Sequence, residues 1–130
     1  MIRQNISSGG PLEAKARYSR AVRAGNSIHV SSTTAFGPDD NMVADNAYGQ
    51  TVQILKTVTA ALAEAGARLE DVVRSVMYVT DINDTEAVGK AHGEVFPDIR
   101  PTSTLVQVVA LVSPEMKVEI EAYADLSGDA

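Results

Sequence analysis

The chain has 130 residues, enough for one domain spanning 1–130 around one core. Hydrophobic residues make up 45% and charged residues 22%, but aromatics are scarce and Trp is absent, so Val, Ile, Leu and Ala must build the core. The net charge of −6 disfavours nucleic-acid binding, and the absence of Cys excludes disulfides, thiolate metal sites and a Cys nucleophile.

Met1 to Gly10 is polar and lacks the apolar segment of a signal peptide, and no apolar run approaches the roughly 20 residues of a membrane span. No membrane association and a cytoplasmic location are therefore expected. Ser7-Ser8-Gly9-Gly10-Pro11 reads as a flexible lead-in loop. Tyr18 to Ala24 and Ile28 to Ser31 read as strands of a β-hairpin, because Gly25 and Asn26 between them tolerate positive φ. Phe36 to Asn41 is a loop. A helix starts at Ala47: Val52, Leu55, Val58 or Thr59, and Leu62 recur at helical spacing, Ile54 and Ala61 widen the stripe, and Gly66 suits the C-terminal cap.

Val72 to Thr80 is β-branched and aromatic, a central strand with Val73, Met77 and Val79 on one face and Val76 and Tyr78 on the other. After a turn at Asp81 to Asn83, Asp84 caps a second helix running to about Val95. Pro97 and Pro101 bracket a loop. Thr104 to Val112 and Met116 to Ala124 read as strands joined at Ser113-Pro114-Glu115, and the tail from Ser127 as frayed. The order is β-β-α-β-α-β-β, an α/β (α+β) mixed sheet with two helices on one face. The other sheet face would expose Val and Leu, and an apolar face of that kind implies an oligomer.

Neither His29 nor His92 has partners at metal-ligand spacing, so no metal is expected and both read as surface or interface histidines. The hydroxyls of Ser31-Ser32-Thr33-Thr34 and Thr102-Ser103-Thr104 belong to no nucleophile-elbow motif and read as satisfying loop backbone or solvent. No glycine-rich nucleotide loop occurs, and no organic cofactor is implied. Glu119 and Glu121 flank Ile120 and point to one face of the last strand, opposite Val118, Ile120 and Ala122. Such a pair is most often a solvated face. A carboxylate partly buried at an interface would instead have a raised pKa, suited to acid–base work. Arg100 could grip a carboxylate in bidentate fashion.

The stretch from Arg100-Pro101-Thr102-Ser103-Thr104-Leu105-Val106-Gln107-Val108 through Pro114-Glu115-Met116-Lys117-Val118-Glu119-Ile120-Glu121-Ala122 resembles the C-terminal signature of the Rid (YjgF) family, also labelled L-PSP endoribonuclease or translation inhibitor. Tyr18-Ser19-Arg20-Ala21-Val22, Gly25 to Ser31, Gln50-Thr51, Ala65-Gly66-Ala67 with Asp71-Val72-Val73, and Tyr78-Val79-Thr80-Asp81 extend the likeness over Tyr18 to Ala124. The resemblance implies a chorismate-mutase-like fold, a homotrimer, and small-molecule pockets in clefts between subunits. The family's best-known chemistry is hydrolysis of reactive enamine or imine intermediates to 2-keto acids and ammonia, without metal or organic cofactor.

Carried over by position, Glu119 matches the water-positioning glutamate and Tyr18 a tyrosine of the pocket. The carboxylate-gripping arginine falls at Ser103, and a pocket asparagine at Gly89. Losing such a charge-assisted bond costs about 1.5–3 kcal/mol, very roughly one to two decades in rate or affinity. Arg100 is the nearest arginine, but a proline separates it from Ser103. Ser103 and Thr104 are expected to line the pocket, with Tyr18 at its rim. The expected function is an imine deaminase or hydrolase of this type. A non-catalytic ligand-binding or regulatory trimer is a second reading. A ribonuclease or translation inhibitor is a third, against which the acidic charge argues.

Overall fold

The computed structural model describes residues 2–37 and 39–126. The tail expected to fray from Ser127, and Pro38 of the expected loop, lie outside the described residues. The chain runs β1 (Arg3–Ile6), α1 (Pro11–Ala16), β2 (Ala21–Ala24), β3 (Ser27–Thr33), α2 (Ala47–Glu64), β4 (Val72–Val79), α3 (Thr85–Val95), β5 (Thr102–Gln107) and β6 (Val118–Asp125). Six strands form one mixed sheet in the order β1-β2-β3-β6-β4-β5. Only the β4–β5 pair is parallel, and α3 supplies its crossover.

Two elements escaped the sequence reading. Arg3–Ile6 is polar at three of four positions, yet it pairs antiparallel with β2, and Ile6 enters the core. The expected lead-in loop holds from Ser7 to Gly10, but Pro11 opens a short helix, α1, whose Glu13 accepts bonds from the Ser7 and Ser8 hydroxyls. The β2–β3 hairpin forms as expected, although only Gly25 takes positive φ (+62°).

In α2, Ile54, Leu55, Val58 and Leu62 are fully buried, each worth about 1.5–3 kcal/mol over exposure. The Asn46 side chain caps the helix by accepting from Gly49 N, and Gly66 ends it at φ +86°. Gln50, fully buried at its first turn, donates to the Ala44 and Glu115 carbonyls and accepts from Lys117 N. It therefore ties the start of α2 to the segment entering β6. The core face of the sheet carries Ile28 and Val30 of β3, Val118, Ile120, Ala122 and Ala124 of β6, and Met77 and Val79 of β4. Both α2 and α3 cover this face, α3 through a bond from its His92 to Ser75 of β4.

Three expectations need correction. The register between β4 and β6 shifts between Val72 and Arg74, so Val72 enters the core and Val73 is half exposed. Next, the strand expected over Thr104 to Val112 is β5, Thr102–Gln107. Its partner β4 ends at Val79, opposite Gln107, so nothing remains to pair with; Val109 and Val112 project into solvent. Finally, the helix-free face is mixed and not an apolar sheet of Val and Leu. Glu119, Glu121, Tyr78, Tyr123, Arg74 and His29 lie on it, with Val76 buried among them. The oligomer argument from an exposed apolar face therefore loses its premise.

Candidate functional site

Strand alternation decides which expected site residues can meet. Glu119 stands opposite Tyr78 on the helix-free face, where Ser32 Oγ donates to its carboxylate. Ser32 is held in turn through its carbonyl, which accepts from Arg20 Nη1 at 3.2 Å. The same nitrogen donates to Thr33 Oγ1 at 3.0 Å. Arg20 is almost fully buried and lies 4.0 Å from the Glu13 carboxylate. Its Nε has no hydrogen-bond partner among the described residues. The guanidinium sits 5.7 Å from the centre of the exposed Tyr18 ring. Tyr18, Arg20, Ser32 and Glu119 thus form one connected cluster.

Glu13 anchors it. Burial raises this carboxyl's pKa, but bonds from the Ser8 and Ser7 hydroxyls and Ser8 N, with the Arg20 charge, outweigh that and hold it below the usual value. Alongside, Glu121 accepts from the hydroxyls of Tyr78 and Tyr123. The Tyr78 bond to that carboxylate, with burial, pushes the phenol up to about 12.

Ser103 falls elsewhere. It pairs with Ser75 on the helix-covered face, and its hydroxyl lies 3.0 Å from the Ser75 hydroxyl. Ser75 Oγ is 2.8 Å from His92 Nε2 of α3. Burial pulls the His92 pKa below its usual value. Along β4 the positions opposite Ser103 and Glu119 are three residues apart, about 10 Å, and the two side chains project to opposite faces. Within one chain they do not share a pocket. Thr104 is on the helix-free face, flanking Val76 together with Glu121. Gly89 is exposed on α3, one turn before His92, where an added Cβ would meet no atom within 4 Å. Arg100, at φ +52°, lines an open groove with Glu70, Val73, Asp98 and Thr102. That groove lies at the opposite end of β4 from Tyr78, about 20 Å along the strand, so Arg100 cannot join Glu119 in the same chain.

Sequence reasoning missed Arg20, Ser32, Ser75 and His92. Two other hydroxyls of the Ser31–Thr34 run bond to backbone as expected, Ser31 to the Ser19 carbonyl and Thr33 to the Ser31 carbonyl, but Ser32 reaches Glu119 across 87 residues. The available signal for Ser75 was a lone small polar residue inside an apolar strand. His92 is half-buried against Phe96, ring centres 4.7 Å apart. His29 is exposed and meets Tyr123 edge-on. Among the described residues no three His, Asp or Glu side chains gather as a metal-ligand set. No helix among them is long and apolar enough to cross a membrane.

This fold and sequence are shared with known proteins. The family profile described as Endoribonuclease L-PSP matches residues 10–126. The structure of Rv2704 from Mycobacterium tuberculosis, a member of the YjgF/YER057c/UK114 family, superposes with a TM-score of 0.89 at 42% identity, covering 96% of this chain and 100% of that one. The chain belongs to the Rid/YjgF family. SCO2049 of Streptomyces coelicolor is 36% identical over 122 residues, 92% of this chain and 91% of that protein. The 3-aminoacrylate deaminase RutC of Acinetobacter baylyi is 33% identical over 125 residues, 95% and 98% of the two chains.

Proposed function

We propose that the protein hydrolyses reactive enamine or imine compounds to keto compounds and ammonia, as a cytoplasmic homotrimer with its sites in clefts between subunits. The observation that carries this reading is Glu119: its carboxylate is fixed by Ser32, which Arg20 holds from behind. A carboxylate fixed in this way can accept a proton from water and aim the oxygen at an imine carbon. The kinship with a 3-aminoacrylate deaminase favours the same chemistry.

Because Glu119 and Ser103 project to opposite faces of one sheet, a pocket using both takes them from different copies. Ser103 offers a hydroxyl donor and no charge, so the favoured substrate lacks the carboxylate that an arginine would grip. An imine generated by a serine or threonine dehydratase, which carries a carboxylate, and an uncharged imine that lacks one together test this preference and the activity. Keto-product release above the buffer rate supports it, and Glu119→Gln is expected to abolish that release. Full activity in this variant would remove Glu119 from the mechanism, and a monomer by light scattering would remove the trimer.

A second reading, a ligand-binding trimer without catalysis, is favoured by one specific observation. Ser103 stands where the carboxylate-gripping arginine is expected and Gly89 where the pocket asparagine is expected, and Arg100 lies in a separate open groove with Glu70, Val73, Asp98 and Thr102. Saturable ligand binding with no turnover would decide for it. The family's endoribonuclease label fits poorly with a net charge of −6.

A further inference from the structure

We propose that Ser103, Ser75 and His92 form a hydroxyl relay that makes the Ser103 hydroxyl a nucleophile toward small, uncharged acyl electrophiles such as esters. The relay is independent of Glu119, which faces the other side of the sheet. It has the three parts that an activated serine needs: an accessible oxygen, a proton path and a base held in place. Ser103 is exposed on edge strand β5, and Ser75 beneath it is 99% buried, so in the resting chain bulk solvent does not compete for its hydroxyl. The oxygen–oxygen and oxygen–nitrogen separations are 3.0 and 2.8 Å, both hydrogen-bonding distances. Phe96 packs on the imidazole and fixes its plane.

Burial keeps the ring neutral at pH 7, which leaves Nε2 free to accept a proton. Both serine hydroxyls rotate freely enough to point along the chain toward it. None of the three groups carries charge, which selects an uncharged substrate.

In the step itself, Ser103 Oγ bonds to the acyl carbon. Its proton passes to Ser75 Oγ as the Ser75 proton moves to His92 Nε2. The ester C–O bond breaks, and the leaving alkoxide takes the proton of Ser75 Oγ, which His92 Nε2 replaces, and departs as an alcohol. Water entering beside the acyl group gives its proton to Ser75 Oγ as the Ser75 proton moves to His92 Nε2, and attacks the acyl-Ser103 ester. The carboxylic acid leaves and the Ser103 hydroxyl is restored.

A fluorophosphonate tests this without knowledge of the natural ester. Incubated with the full chain, it is expected to give one adduct, mapped to Ser103 by peptide mass spectrometry. Ser75→Ala and His92→Gln should each slow labelling tenfold or more while retaining the wild-type circular dichroism. The chain has two histidines. The parent's labelling rate should rise with pH as one group loses its proton, and that dependence should vanish in His92→Gln while exposed His29 remains, a change that a purely structural role for His92 would not produce. No adduct, an adduct at another residue, or labelling slowed less than tenfold in whichever of the two variants folds would overturn the proposal.

Discussion

Arg20 and Glu13 are buried together, and serine hydroxyls complete what their mutual attraction leaves undone. A buried ion pair is costly to break because the surviving charge stays desolvated. Replacing Arg20 by Met is expected to lower the unfolding free energy by about 2–3 kcal/mol, less than a bare buried pair would lose, since Glu13 keeps its Ser7 and Ser8 bonds. The pH sign follows from Glu13, whose pKa is depressed in the folded chain. Its contribution is full above the ordinary value of 4.5 and disappears as pH falls through the lower folded value. Denaturant melts down an acid series should show a shallower acid loss in Arg20→Met than in the parent.

Tyr78 behaves in the opposite sense. The folded chain keeps its proton between 10 and about 12, so the stability it contributes is full below pH 10 and lost as pH rises through that window. Tyr123, which shares Glu121, is raised as well. Ultraviolet titration should show late tyrosinate formation, and Glu121→Gln should bring it forward.

At the scale of elements, Gln50 is the main polar tie between α2 and the sheet. Gln50→Leu conserves bulk but leaves the Ala44 and Glu115 carbonyls and Lys117 N without their partner. About 2–3 kcal/mol of stability should be lost, read as a lower midpoint in denaturant. The same scale shows what a sequence can and cannot reveal. Helix α2 is legible because its apolar residues recur on one stripe, and the Glu119/Glu121 face because strands alternate. Val73 was misassigned because a bulge adds one residue to the count, and alternation carries no mark of it. Strand β1 was invisible because pairing with β2, and not its own apolarity, makes it a strand. The Ser32–Glu119 and His92–Ser75 bonds join segments distant in the chain, and no local pattern encodes them. Family likeness supplied Glu119 and Tyr18, but it said nothing of the residues that hold them.

For the whole molecule, β6 is the seam of the sheet: it lies between β3 and β4 and is the only strand joining β1-β2-β3 to β4-β5. It also follows every other strand in the chain. During synthesis the ribosome therefore releases two half-sheets with nothing between them, each showing an apolar face and unpaired edges until Val118–Asp125 emerges. Burial of the core on both halves waits for that segment, so folding is expected to be all-or-none and late, with a slow search for long-range pairing. A chain ended after Lys117 should show no cooperative melt and should bind a dye specific for exposed apolar surface; a sharp thermal transition in that fragment would refute the idea. Until β6 arrives, the nascent chain is a natural client for chaperones, and a pause in translation just before Val118 would prolong its exposure to aggregation.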